Sequence, residues 1–248
     1  MDDVERFRRL ARERGATDGA IDTWLQFNRP KVELHATGDG PPAGRFGGRP
    51  LLPESAAWPM MDGRMPYFFL AEVDCAALAP EMPGLPPAGT LQFFVSDFYD
   101  AEEGAVFYYP PGTALTDTGP PPGSHEPTVL AGHPLHVRRR GTMPPDPGPE
   151  DPTPDYDLDI EDWWDEVMTG EGRMHMGGMA QRLYYGFPGP REFEFEDPYT
   201  DAVRLAEFFF DPEEFTEFDP QRIEFMIYPD DLAARAFDRA WVGTTIND

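Results

Sequence analysis

The sequence predicts an α+β protein, sheet-rich and mostly antiparallel, with two similar halves from a degenerate internal duplication and an N-terminal helical segment. Three observations predict it. Short aromatic and branched runs at 67–73, 90–95, 105–109 and 223–228 lie between Gly and Pro clusters, as strands joined by turns do. Strong helical periodicity opens the chain. Three blocks also occur twice in one order: Gly47-Gly48, Leu70-Ala71-Glu72 and Leu91-Gln92-Phe93-Phe94, then Gly177-Gly178, Leu205-Ala206-Glu207 and Ile223-Glu224-Phe225-Met226. Such self-similarity marks repeated structural units.

Val4, Phe7, Leu10 and Ala11 fall on one face of a helix over 2–14 that Gly15 ends. Thr17 or Asp18 caps a second short helix carrying Ile21, Trp24 and Leu25, stopped at Asn28-Arg29-Pro30. Val32 and Leu34 alternate with polar neighbours as a strand, and 38–48 reads as a Gly/Pro loop. Residues 110–154 hold 13 prolines and read as surface loops, apart from the apolar alternation at 134–137. The C-terminal part returns to strands at 208–210 and 223–228 and a helix over 231–239. The expected organisation is one domain over 1–248: helices in 1–29, a first half in 30–141, an acidic Pro-rich excursion in 142–170 and a second half in 171–248.

Charge excludes several classes. The 248 residues hold 46 acids and 20 bases, a formal charge of −26. Residues 1–145 have 19 acids and 13 bases, 146–231 have 25 and 5, and 232–248 have 2 and 2. The field belongs to one segment, suits a basic protein as partner and repels duplex nucleic acid. No apolar run of 18 residues suggests a membrane span, and the charged start does not resemble a signal peptide. Cys75 is the only cysteine, so internal disulfides and cysteine-rich zinc sites are excluded and the cytoplasm is the expected compartment. Nineteen of the 20 bases are Arg, which reads as codon bias. Lys31, the one lysine, precedes Val32, so neither a phosphate-binding loop nor lysine Schiff-base chemistry is expected.

Phe46-Gly47-Gly48-Arg49-Pro50-Leu51-Leu52-Pro53, Trp58-Pro59, Phe69 to Asp74 and Gly89 to Phe94 resemble the YwqG-like family of uncharacterised bacterial proteins (domain of unknown function 1963). The stretch from Ile223 to Trp241 is similar to that family's closing strand–helix–strand. The resemblance spans roughly residues 30–245 and implies a mixed, sheet-rich, duplicated fold and no particular activity. The family often has Gln where Glu72 stands, and Phe215 to Pro220 replaces its Trp-Gly-Asp-Gly-type turn. In the residues themselves, Gly47-Gly48 offers positive φ before a fixed proline, and Trp58-Pro59 an aromatic plug.

Each chemical motif meets a competing reading. Asp155, Asp157, Asp159, Glu161 and Glu166 occupy positions 1, 3, 5, 7 and 12 of a calcium-loop spacing, of which Asp155, Asp157, Asp159 and Glu166 are the nearest approach to a metal set. Ile160 stands where the turn needs Gly, and Trp163 and Trp164 follow, so an acidic linker is the better reading and no metal or other cofactor is assigned. His125, His133 and His136 lie beside Arg138-Arg139-Arg140 and read as loop histidines. Ser55, Ser96 and Ser124 are in no nucleophile elbow, Cys75 reads as a buried strand thiol, and 38–44 lacks the helix start of a phosphate loop. Carboxylates are too many for an acid–base pair to be chosen. Met174 and Met176, with neighbouring Trp163, Trp164, Met168 and Met179, suggest an adaptable surface or packing under a loop.

The function expected is therefore a binding protein that docks a cationic protein through its acidic 146–231 face, immunity-like in its most concrete form. Asp162, Trp163, Trp164, Asp165 and Glu166 are the expected contact residues. The alternative is a hydrolase with carboxylates in a cleft between the halves; a small-ligand or metal-dependent module using the acidic loop is a third.

Overall fold

The computed structural model describes residues 3–25, 29–98, 101, 103–120, 129–142, 163, 173–178, 202–210 and 222–245. Helices α1 (Asp3–Glu13) and α2 (Asp18–Leu25) form an antiparallel pair around buried Phe7, Ala11, Ile21 and Trp24. The charged faces are tied by Arg8–Asp22 at 2.6 Å and Arg12–Asp18 at 2.7 Å. Both ion pairs are exposed, so the apolar seam contributes most of the stability of the pair.

The body is a ten-stranded sheet: β1 (Arg29–His35), β2 (Gly44–Phe46), β6 (Phe68–Asp74), β7 (Thr90–Val95), β8 (Gly104–Tyr109), β10 (His133–Thr142), β11 (Met174–Gly177), β12 (Val203–Phe208), β13 (Arg222–Ile227) and β14 (Trp241–Thr245). Its order is β14-β13-β12-β11-β1-β10-β2-β6-β7-β8, and every pairing is antiparallel among the described residues. Two small ribbons, β3 (Leu51–Leu52) with β9 (Thr116–Asp117) and β4 (Met60–Met61) with β5 (Met65–Pro66), accompany it. Short helices α3 (Cys75–Leu78) and α4 (Pro229–Ala233) and a 3₁₀ turn at Phe237–Arg239 complete the described elements.

The sheet curls until its edges nearly meet. A Cβ on Gly104 of β8 would lie 2.7 Å from Phe225 Cε1 and 3.1 Å from Val242 Cβ, so glycine is what allows β8 to approach β13 and β14. Phe46, Phe93, Phe208 and Phe225 fill the interior, with ring centroids of successive pairs 5.4–6.4 Å apart. Strands β1 and β10 lie at the centre, and His35 and His136 face one another across them.

Two bulges shape the barrel. Phe69 pairs with Phe94 and Ala71 with Phe93, leaving Leu70 as the extra residue; Arg204 pairs with Met226 and Ala206 with Phe225, leaving Leu205 extra. A bulge reverses the alternation of faces, so residues three apart reach the same side. Phe69 and Glu72 thereby share the outer face, as do Arg204 and Glu207. Over the first bulge, Leu52, Trp58, Tyr67, Phe69 and Phe94 make an outer cluster in which Trp58 Nε1–H donates to the Tyr67 carbonyl at 3.0 Å. The expected plug is therefore real, and Gly47 and Gly48 have φ of 64° and 75°.

Several expectations need correction. The 38–48 loop contains β2, and the supposed loop histidines and arginines at 133–140 lie in β10, the sheet's ten-residue central strand. Pro134 is tolerated there because it precedes the stretch paired with β1. The helix expected over 231–239 breaks at Arg235, whose φ of +57° closes α4 before the 3₁₀ turn. Cys75 is buried as expected but opens α3, where Asp74 accepts from the Ala76 N–H at 2.9 Å. Met174 and Met176 are fully buried core residues of β11, so they offer no adaptable surface.

Candidate functional site

The outer face of the sheet over β1, β11, β12 and β13 carries a cluster of ionisable side chains. Strand β1 supplies Lys31, Glu33 and His35, β11 supplies His175, β12 supplies Arg204 and Glu207, and β13 supplies Arg222 and Glu224. Register sets the neighbours: Glu33 is opposite His175, His175 opposite Glu207, and Glu207 opposite Glu224. Glu33, Glu207 and Glu224 are at most 2% exposed, and Arg204 is 4% exposed. Ionised groups this deep are costly unless paired.

They are paired. Arg204 Nη1 donates to Glu207 Oε2 at 2.6 Å and to Glu224 Oε1 at 3.4 Å, while its Nε donates to the Gly177 carbonyl at 3.0 Å. Lys31 Nζ lies 3.3 Å and His35 Nε2 3.2 Å from Glu33, and Arg222 Nη1 is 3.7 Å from Glu207. Three carboxylates thus meet Lys31, Arg204 and Arg222, a balanced set when the histidines are neutral. Burial, opposed by Glu207 and assisted by Lys31 and Arg204, holds His175 below the ordinary imidazole pKa. Burial likewise lowers the Lys31 ammonium, with Glu33 opposing and Arg204 assisting. For Glu207, burial acts upward, but Arg204, His175 and Arg222 win and hold it well below the ordinary carboxylate range.

His175 Nδ1 lies between a donor and an acceptor, 3.5 Å from Lys31 Nζ and 3.4 Å from Glu207 Oε2, with Phe209 against its ring at 4.4 Å. If the lysine donates, Nδ1 must be unprotonated; if the lysine is neutral, Nδ1–H can serve Glu207. The imidazole tautomer is coupled to the lysine's proton. His175 Nε2 and Glu207 Oε1 are buried without a hydrogen-bond partner.

A smaller polar row lies across β2, β6 and β7. Arg45 Nη2 donates to Glu72 Oε1 at 3.1 Å and to the Arg49 carbonyl at 2.7 Å, its guanidinium lying over Phe69. Gln92 Nε2 donates to Glu72 Oε2 and to the Leu51 carbonyl. A groove of about 510 Å³ opens beside them, lined in part by Arg45, Glu72, Asp74, Thr90 and His133. Glu72 is committed to Arg45 and Gln92, and Asp74 to capping α3.

Of the expected contact residues, Trp163 is placed: it packs on the α1–α2 cluster with the Arg14 guanidinium 5.6 Å from its ring. Asp162, Trp164, Asp165 and Glu166 lie outside the described residues, as do Asp155, Asp157, Asp159 and the 215–220 segment. Among the described residues no group of three His, Cys, Asp or Glu could hold a metal ion, and no described helix is long and apolar enough to cross a membrane. The buried cluster was missed because a charge alternating with apolar residues, as in Val32-Glu33-Leu34 or Ile223-Glu224-Phe225, reads as a solvated face. The available signal was the Glu shared by the two Leu-Ala-Glu blocks.

A curled antiparallel barrel with buried charge on one flank and a polar groove on the other defines a sheet-based domain. The chain belongs to the family described as Domain of unknown function (DUF1963), whose profile matches residues 44–245. A search of curated proteins finds no match.

Proposed function

We propose that this is a bacterial, cytoplasmic binding protein that docks a cationic protein partner through the acidic segment of residues 146–231, in an immunity-like role. One observation carries the reading. Within that segment the described residues hold four acids and three bases, whereas 21 acids and two bases lie in the remaining stretches. The buried cluster therefore accounts for almost none of the segment's excess charge, and an excess of this sign and size in one segment suits a basic partner. The cytoplasmic assignment is supported by the single, buried Cys75.

The fold behind this reading is a duplicated one. Supporting it are the two bulges at Leu70 and Leu205, the paired positive-φ glycines at 47–48 and 177–178, and the matched rows Arg45–Glu72–Gln92 and His175–Glu207–Glu224. The hydrolase alternative has one favouring observation, three carboxylates converging near a neutral histidine. Each of these carboxylates has a cation within ion-pair distance, a poor state for a general acid or base.

The test is affinity purification from the native host followed by binding measurements with the purified partner at low and high ionic strength. A basic partner whose affinity falls with salt, and falls again when the acids at 211, 213, 214, 217 and 219 are changed to their amides, is the expected result. Binding indifferent to both salt and neutralisation overturns the proposal.

A further inference from the structure

Lys31 is the single lysine beside 19 arginines. The two cations differ in a respect that matters at a buried site: an ammonium can give up a proton and become a nucleophile, and a guanidinium cannot. The one residue able to do this is set among buried ionisable groups. Its Nζ is 3.3 Å from Glu33 Oε1 and 3.5 Å from His175 Nδ1, and its side chain keeps 11% exposure while the Glu33 side chain has none. The cluster also leaves His175 Nε2 and Glu207 Oε1 buried and without a hydrogen-bond partner, 3.8 Å from Glu33 Oε1 and 3.7 Å from Arg222 Nη1 respectively. Ion pairing alone would not need a titratable cation at this point, since arginine makes the other pairs of the cluster: Arg204 serves Glu207 along its own strand and Arg222 serves it from β13.

Reversing the expectation from sequence that lysine Schiff-base chemistry is absent, we propose that Lys31 is a covalent attachment site for a small carbonyl compound, an aldehyde or ketone, held as an imine. The inference is independent of the docking role. The Nζ lone pair attacks the carbonyl carbon and the C=O π pair moves to oxygen. The two protons leaving nitrogen pass to that oxygen, which departs as water as C=N forms, so atoms and electrons balance with no further reagent. His175 is the positioning residue: its Nδ1 can take the proton that the ammonium must lose first. Burial favours the neutral amine, and the facing groups, Glu33, His35, His175, Arg204, Glu207, Arg222 and Glu224, leave the cluster balanced or nearly so in either state.

The full-length protein is incubated with acetaldehyde and sodium cyanoborohydride near neutral pH, and ethylated residues are located by peptide mass mapping. A lone lysine makes assignment unambiguous, because the N-terminal amine falls in another peptide. The expected result is ethylation of Lys31 severalfold faster than of N-acetyl-lysine amide, with the rate–pH profile displaced to lower pH and the advantage lost in urea. Lys31→Arg is expected to abolish that product while leaving the N-terminal one. If Lys31 is only a counter-ion, it labels no faster than the reference in the folded protein and matches it in urea; that result overturns the proposal, as does a profile that is not displaced. His175→Asn is expected to slow labelling of Lys31 relative to the N-terminus, which a purely structural histidine would not do in a variant that folds.

Discussion

Replacing Arg204 by Met tests whether the buried cluster is held by charge pairing. The methionine roughly fills the space of the aliphatic stem but removes the guanidinium that serves Glu207, Glu224 and the Gly177 carbonyl at 2.6, 3.4 and 3.0 Å. Removing one partner of a buried pair costs about 3–5 kcal/mol, because the other charge stays buried, and here two carboxylates are affected. The expected loss is about 4 kcal/mol at pH 7, a large part of the roughly 5–15 kcal/mol typical of a domain. Urea unfolding followed by tryptophan fluorescence reads it as a lowered midpoint. The pH dependence carries the diagnosis. In the native protein Glu207 is held low, so its contribution is present above the ordinary carboxylate pKa and disappears as pH falls through the folded value. Without Arg204, burial dominates and raises that pKa, so the variant gains stability as acid neutralises Glu207. The gap between the two proteins must therefore narrow below about pH 5. Adding Glu207→Leu to the variant must recover part of the loss. A loss under about 1 kcal/mol, or a gap independent of pH, refutes the reasoning.

His175→Asn tests the neutral imidazole: the native folded pKa is lowered, so native stability is full above the unfolded value of about 6.5 and falls as pH drops below it. The variant's thermal midpoint is expected to lose less between pH 6.5 and 5, and an unchanged slope counts against the assignment. Gly104→Ala places a Cβ against Phe225 and Val242 and is expected to cost about 1–3 kcal/mol in urea unfolding. Gly19→Ala in α2, where the new Cβ would meet the Thr17 side chain no closer than 3.9 Å at Oγ1, is expected to stabilise by about 0.5–1 kcal/mol in urea unfolding. Cys75, whose thiol is pushed up to about 12 by burial and by Asp74, is expected to resist Ellman's reagent until the chain unfolds; prompt reaction in the folded state refutes its burial.

Much of the sheet was legible because its strands are short apolar runs with turn residues at their ends, as in Thr90–Val95 and Arg222–Ile227. Strand β10 was not, because Pro134 and three consecutive arginines disguise a strand whose place is fixed by pairing with β1 and β2. The helix at 229–233 was recognised but overextended, since nothing in the composition announces a positive φ at Arg235. The site was the least legible part. Arg204 and Glu207 are three residues apart, which on a regular strand means opposite faces; only the bulge at Leu205 brings them together. Lys31 and His175 are 144 residues apart and meet only through the antiparallel register of β1 and β11.

The rows of side chains beside the two bulges differ in the charges they carry. Beside the bulge at Leu70, the row Arg45–Glu72–Gln92 carries one cation and one carboxylate, which pair with each other, and the Gln92 amide donates to the same carboxylate. The cation comes from β2 and lies over Phe69. Beside the bulge at Leu205, Arg204 precedes the extra residue as Phe69 precedes Leu70, and it reaches Glu207 along its own strand, while His175 faces Glu207 as Arg45 faces Glu72. Glu224 in place of Gln92 then adds a buried carboxylate, Arg222 helps to balance the row, and Lys31 with Glu33 adds a further pair. Buried ion pairs of this kind rarely exceed well-packed apolar residues in stability, and the bulge at Leu70 forms without them. The bulge therefore explains Glu207 and its cation but not Lys31, Glu33 or Glu224. Those three, with the His175 imidazole beside Lys31 and Glu33, are where a chemical role distinct from folding has to be sought.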